Sequence, residues 1–130
     1  MSDIITIGVI GLGNAGTPIL NNLHKAKKYK LIAFDIDKNK LDDVPKDVIK
    51  ANSIKDIAQK CNTVLTCLPK PEHVLQVVDG VDGLLQNSST GMVWIDTSTT
   101  DFKQTQELSN KAKTYGISML EATLTGGVHA

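Results

Sequence analysis

Three glycines and one aspartate carry the clearest chemical signal in the sequence. Gly11-Leu12-Gly13-Asn14-Ala15-Gly16 has the spacing G-x-G-x-x-G. It follows a β-branched apolar run over residues 4–10 and precedes a helical pattern over residues 17–26, with Ile19, Leu20 and Leu23 on one face. Strand, glycine turn and helix in that order is the setting in which such a motif cradles a pyrophosphate. Gly11 is expected to permit the tight turn, Gly13 to let phosphates reach the backbone, and Gly16 to let the helix sit close to the strand. The free N–H groups and positive dipole end of the helix then face the phosphates. Asp35 closes a second strand-like run over residues 30–35, about 20 residues beyond the last glycine, where an acid holds a ribose diol. A carboxylate accepts from both hydroxyls and repels a 2′-phosphate, so NAD is favoured over NADP. Taken singly, the glycines would suit a turn that binds nothing, and Asp35 a solvated strand end. Their joint occurrence points to a dinucleotide.

The elements that must position these residues fit into one compact domain of 130 residues. A hydrophobic fraction of 41% suits a globular chain. Lys plus Arg (14) balances Asp plus Glu (14), which gives no electrostatic reason to expect nucleic acid or an anionic membrane as partner. No stretch is long enough to span a bilayer as a helix. No Lys or Arg precedes Lys25, so a secretory signal is not expected and a cytoplasmic location is. Cys61 and Cys67 show no metal or redox spacing. They read as reduced thiols, Cys67 buried on a strand, and no metal site is expected.

Strand and helix patterns alternate along the chain. A polar turn or short helix is expected over 37–44 and a short strand over 47–51. Ser53-x-x-Asp56 resembles a capping box opening a helix to residue 60. A strand over 63–68 stops at Pro69, and a helix over 71–78 has proline in its first turn. A helical turn over 83–86, a strand over 92–96 ending in Asp96, a helix over 101–115 and a strand over 117–123 complete the series. Phe102, Leu108 and Ala112 are expected to share the apolar face of the last helix. Repeated units of this kind imply an α/β fold, a doubly wound parallel sheet with helices on both faces. Ligands bind such sheets beyond the carboxyl ends of the strands. Residues 11–16, Asp35, 68–69, 96–99 and 125–127 should therefore form one rim.

Four motifs together resemble the 3-hydroxyisobutyrate dehydrogenase family, whose cofactor domain is related to the NAD-binding domain of 6-phosphogluconate dehydrogenase. They are Ile7-Gly8-Val9-Ile10-Gly11-Leu12-Gly13-Asn14-Ala15-Gly16 with Pro18 and Asn22-Leu23; Thr66-Cys67-Leu68-Pro69; Ile95-Asp96-Thr97-Ser98-Thr99; and Leu120-Glu121-Ala122-Thr123-Leu124-Thr125-Gly126-Gly127. The resemblance implies a Rossmann-type domain over 1–130, with residues 11–16 on the pyrophosphate and Asp35 on the adenine ribose. It implies Leu68, Pro69 and His73 along the cofactor groove and Thr99 near the nicotinamide ribose. It gives Thr125, with the N–H groups of Gly126 and Gly127, to the substrate carboxylate. The family usually has Met at the position of Ala15. Its substrate loop differs where Glu121, Thr123, Leu124 and Thr125 replace Asp, Pro, Val and Ser, which bears on the substrate more than on the reaction class. Family members carry a catalytic lysine on a later helix that enters an all-helical domain. No lysine here lies in that motif, so the resemblance places the expected catalytic lysine beyond Ala130 and assigns no catalytic residue within the chain. It thus implies the N-terminal part of an NAD-dependent oxidoreductase for a small 3-hydroxy acid, incomplete at its C-terminal end, inactive alone and self-associating through an uncovered apolar face. The alternative is a non-catalytic dinucleotide-binding sensor or assembly module.

Overall fold

The computed structural model describes residues 4–98 and 101–122. Along the chain run β1 (Ile5–Ile10), α1 (Gly16–Ala26), β2 (Tyr29–Phe34), a 3-10 helix (Lys38–Leu41), β3 (Ile49–Lys50), α2 (Ile54–Lys60) and β4 (Thr63–Thr66). They are followed by α3 (Pro71–Asp79), α4 (Leu84–Asn87), β5 (Val93–Asp96), α5 (Phe102–Thr114) and β6 (Ser118–Glu121). The described strands form one parallel sheet in the order β3-β2-β1-β4-β5-β6. The chain winds outward from β1 to β3, crosses back, and winds outward again from β4 to β6. The direction changes between β1 and β4, which is where a doubly wound sheet opens its crevice.

Alternation along each strand sorts side chains onto two cores. Ile7 and Val9 of β1, with Leu31 and Ala33 of β2, pack against Leu20 and Leu23 of α1. Ile10, Ile32, Val64 and Trp94 point the other way, onto Ile57 of α2, Val74 and Val78 of α3, Leu84 of α4 and Leu108 of α5. Helices therefore cover both faces, as the alternating pattern implied.

Local signals set the helix ends. Ser53 Oγ accepts from the Asp56 N–H at 3.1 Å, while the Asp56 carboxylate reaches back to Asn52 N–H at 3.3 Å, one residue ahead of the cap. This is a capping box shifted by one position. Pro71 opens α3, where its missing N–H costs nothing. Asp101 caps α5 through the Lys103 N–H. Two expectations need correcting. Phe102 is 78% exposed and does not join Leu108 and Ala112 in the core. Six residues at about 100° each place it roughly 120° round the helix from Leu108. The fourth strand ends at Thr66, not residue 68, because the Leu68 N–H leaves the ladder for the Ser98 hydroxyl at 2.8 Å.

Candidate functional site

The glycine turn is built as its spacing predicts. Gly11 has φ +101°, a conformation L side chains rarely adopt, and a Cβ there would lie 2.2 Å from the Cys67 carbonyl oxygen. At Gly16 a Cβ would lie 1.8 Å from the Gly11 carbonyl oxygen and 3.3 Å from Cys67 Cβ, so only glycine lets α1 start this close to the turn and to the end of β4. Gly13 differs from both. Among the described residues, its two chain neighbours apart, no atom lies within 4 Å of a Cβ built there. The turn is open on the Gly13 side, and Asn14 and Ala15 beside it are exposed. The first turn of α1 has no acidic residue and no side-chain cap, so the helix itself supplies no side chain that offsets the positive end of its dipole. Thr17 Oγ1 ties the turn by donating to the Leu12 carbonyl at 2.8 Å.

Asp35 belongs to the same unit. It lies one residue past β2, half-buried, and its Oδ2 accepts from the Leu12 N–H at 2.8 Å while Oδ1 accepts from the Asp37 N–H at 2.8 Å. The carboxylate at the end of the second strand is thus fastened to the glycine turn after the first. Leu68 joins them: its Cδ2 lies 3.2 Å from where a Gly11 Cβ would be. Pro69 follows, exposed. His73 is exposed in the first turn of α3, its N–H bonded to the Lys70 carbonyl. The sheet therefore brings residues 11–16, Asp35 and Leu68 together. Thr99, Thr125, Gly126 and Gly127 lie outside the described residues. An open cleft of about 410 Å³ flanks the turn between α1 and the 3-10 helix, lined by Gly13, Asn14, Thr17, Lys40 and Val44 among others. It shares only Leu12, Gly13 and Asn14 with the rim.

Asp96 departs from the expected rim. It is 1% exposed, and burial pushes its carboxyl above the usual aspartate range, with hydrogen bonds from Ser98 and Thr66 opposing the shift. Its Oδ1 accepts from Thr66 Oγ1 at 3.0 Å and from the Ser98 N–H at 2.9 Å. Thr66 Oγ1 in turn accepts from the Trp94 indole N–H at 2.9 Å. Ser98 Oγ accepts from the Leu68 N–H and donates to the Thr66 carbonyl at 3.2 Å. Thr97 Oγ1 lies 3.0 Å from that same carbonyl and 2.9 Å from Cys67 Sγ. Sequence reading missed this assembly. The available signal was the alternation of Trp94 and Asp96 on one face of β5, which places the acid beside the largest core residue.

Among the described residues no group of acidic, histidine and cysteine side chains is placed to hold a metal ion, and no helix is long and apolar enough to cross a membrane.

Known proteins fit this geometry. The chain is 33% identical to the mitochondrial 3-hydroxyisobutyrate dehydrogenase of Rattus norvegicus over its full length, matching 39% of that protein. It is 33% identical to the NAD-dependent L-serine dehydrogenase of Pseudomonas aeruginosa over 93% of the chain and 41% of that protein. In solved structures, Mycobacterium tuberculosis 3-hydroxyisobutyrate dehydrogenase with L-serine superposes with a TM-score of 0.82 at 25% identity, over 93% of this chain and 40% of that one. The chain thus spans about two fifths of the length of these relatives. The family model for the NAD binding domain of 6-phosphogluconate dehydrogenase matches residues 6–130. With the sheet order, the glycine turn and this match in agreement, the chain belongs to the NAD-binding domain family of 6-phosphogluconate dehydrogenase.

Proposed function

We propose that residues 11–16, Asp35 and Leu68–Pro69 hold NAD, and that residues 1–130 are the cofactor-binding domain of an oxidoreductase acting on the CH–OH group of a small 3-hydroxy acid. The observation that carries the reading is the bond from the Leu12 N–H to Asp35 Oδ2. It makes the diol acceptor and the phosphate cradle one preformed unit. An ionised carboxylate has about four lone-pair sites, and Asp35 spends two on backbone N–H groups. One site on each oxygen remains for a ribose hydroxyl, and a 2′-phosphate would meet like charge. The open space at Gly13 fits a pyrophosphate lying against the backbone.

The bound cofactor supplies the hydride chemistry, and the protein supplies binding and orientation. Leu68 and Pro69 wall the groove, His73 flanks it from α3, and Thr99 reaches the nicotinamide ribose. Thr125, Gly126 and Gly127 receive the substrate carboxylate. The two substrates named for the relatives, 3-hydroxyisobutyrate and L-serine, are both 3-hydroxy acids, which supports this substrate class. None of the lysines up to Ala130 sits in the motif that the resemblance makes catalytic. On this reading the 130 residues alone turn over no hydroxy acid. That same lack is what favours the other reading, a dinucleotide-binding module without catalysis. Leu65, Ile95 and Leu120 stand in register across β4, β5 and β6 and are half-buried or exposed. This apolar row suits self-association.

The test is an NMR titration with NAD and NADP, which detects weak binding, beside light scattering on a sizing column and an NADH-formation assay with 3-hydroxyisobutyrate and L-serine. NAD binding tighter than NADP, no turnover and a mass above that of the monomer are expected. Gly13→Val should abolish NAD binding with little loss of melting temperature, because a Cβ at this position meets open space among the described residues. NADP binding as tight as NAD, or NAD affinity surviving Gly13→Val, would overturn the site. Turnover within the range of about 1–10³ s⁻¹ usual for enzymes would place the proton-handling group within these residues, and a monomeric mass would remove the apolar row from the account.

A further inference from the structure

The buried polar assembly at the ends of β4 and β5 exceeds what the sheet needs. Backbone pairing already joins the two strands: Thr63, Val64, Leu65 and Thr66 match Val93, Trp94, Ile95 and Asp96 in parallel register. Yet the chain removes a carboxylate from water at Asp96 and surrounds it with hydroxyls. Burying such a group is costly, and apolar packing would serve stability at least as well. What the assembly does achieve is a link between two loops. Ser98 Oγ accepts from the Leu68 N–H and donates to the Thr66 carbonyl, so one hydroxyl fastens the loop after β5 to the loop after β4. Asp96 Oδ1 fixes where that hydroxyl sits by holding the Ser98 N–H on one side and Thr66 Oγ1 on the other. Trp94, 1% exposed, anchors the far end through its indole N–H.

The position of this link in the sheet suggests its purpose. A sheet of order 3-2-1-4-5-6 consists of two mononucleotide-binding halves. The half built on β1, β2 and β3 contains the glycine turn and Asp35. The half built on β4, β5 and β6 has the Thr66–Asp96–Ser98 link directly beneath its rim, with Leu68 on one side and the Ala122 N–H bonded to the Asp96 carbonyl at 2.9 Å on the other.

We propose that Asp96, acting through Ser98, is a positioning residue for the nicotinamide half of the cofactor, setting the Leu68–Pro69 wall at the distance that half requires. This rests on the reading of the rim as an NAD site. Asp96 touches no ligand itself. Loss of the Ser98 hydroxyl frees the Leu68 N–H and lets the wall drift, while the adenosine half keeps Asp35, which is tied to the turn through the Leu12 N–H and not through Ser98.

The two halves can be titrated separately. NAD and ADP-ribose share the adenosine and pyrophosphate, and only NAD carries nicotinamide. In the wild-type chain NAD should bind more tightly than ADP-ribose by NMR titration. Ser98→Ala and Asp96→Ala should each weaken NAD about tenfold, a loss of about 1.4 kcal/mol, while ADP-ribose stays within about twofold. Asp96→Asn should restore most of the NAD affinity, because an amide oxygen offers Thr66 and Ser98 the same acceptor. Amide exchange at Leu68 should quicken in Ser98→Ala, and should Asp96→Ala fail to fold, Ser98→Ala decides. Equal weakening of both ligands would reduce the link to a general scaffold and overturn the proposal. So would an undiminished preference for NAD in Ser98→Ala, or a wild-type chain that binds the two ligands equally. A wild-type chain that binds neither ligand refutes the cofactor site itself, a separate failure.

Discussion

Asp35 and Asp96 look alike in the sequence and differ completely in the molecule. Each ends a short apolar strand, Ala-Phe-Asp in one case and Trp-Ile-Asp in the other. Asp35 lies one residue beyond the last paired residue of β2, next to a partner strand of only two residues. It turns out onto the rim, and its two oxygens are used separately, one on Leu12 and one on Asp37. Asp96 is still inside the ladder, in register with Thr66 on one side and Glu121 on the other. Alternation puts it on the face of Trp94, and both of its described hydrogen bonds fall on one oxygen. A single residue of register separates a carboxylate available to a ligand from one committed to the scaffold.

The largest expected effect breaks the scaffold side. Asp96→Ala leaves the Thr66 hydroxyl and the Ser98 N–H without their acceptor in a buried site, at about 1–3 kcal/mol for each unsatisfied group. A destabilisation of about 2–4 kcal/mol by urea unfolding is expected, against a small change for the rim variant Asp35→Ala. Equal losses would erase the distinction. Next in size is the ligand side. Asp35→Asn should lower NAD affinity by about 10–100-fold, from hydrogen bonds to a charged group worth about 1.5–3 kcal/mol, and should narrow the gap to NADP. An amide has one oxygen, so it cannot serve the Leu12 and Asp37 N–H groups together. The half-buried rim site should thus tolerate the amide less well than the buried one does, and the reverse outcome would show that charge, not oxygen count, governs both.

The smallest effect sharpens the comparison through pH. Burial raises the Asp96 carboxyl in the folded chain. Between the ordinary aspartate value of about 4 and the raised value, the folded chain holds a proton that the unfolded chain has lost. Stability from this group therefore falls as pH rises through that window. Asp47 and Asp56, held low chiefly by hydrogen bonds from His24 and Lys60, contribute the opposite slope, present above their ordinary values and lost as pH falls. They are unchanged in Asp96→Asn, so they cancel in the difference. Asp96→Asn should gain on the wild type from about pH 4 upward and level off once Asp96 has ionised. A difference flat with pH would mean that Asp96 titrates normally.

Much of this was legible in the sequence because its causes are local. The glycine turn follows from steric requirements within six residues, and the structure shows them at Gly11 and Gly16. Ser53 and Asp56, and Pro71 at the start of α3, announce their helices through contacts one turn long. The Thr66–Asp96–Ser98 link was not legible, because it joins residues about 30 positions apart that meet only when β4 and β5 adopt their register. Phe102 was misread for a related reason: an apolar residue in a helical pattern does not reveal that its angle misses the core. Residues 11–16, Asp35 and Leu68 do lie together, because strand ends alone determine their position. Asp96 was drawn one layer too high.

The two thiols offer built-in clocks of opening. Cys61 packs beneath β1, its Sγ 3.0 Å from where a Gly8 Cβ would stand, and burial pushes it up to about 12. Cys67 lies under the glycine turn, against Gly11 and Gly16, and is raised for the same reason. Thiolate is the reactive form, so neither should be alkylated until its surroundings part. The rate at Cys61 then reports separation of α2 from the sheet, and the rate at Cys67 reports lifting of the turn. A dinucleotide seated on that turn should slow labelling at Cys67 more than at Cys61, as read by mass spectrometry of the separated peptides, and equal slowing would mean that both cysteines open only when the whole chain unfolds.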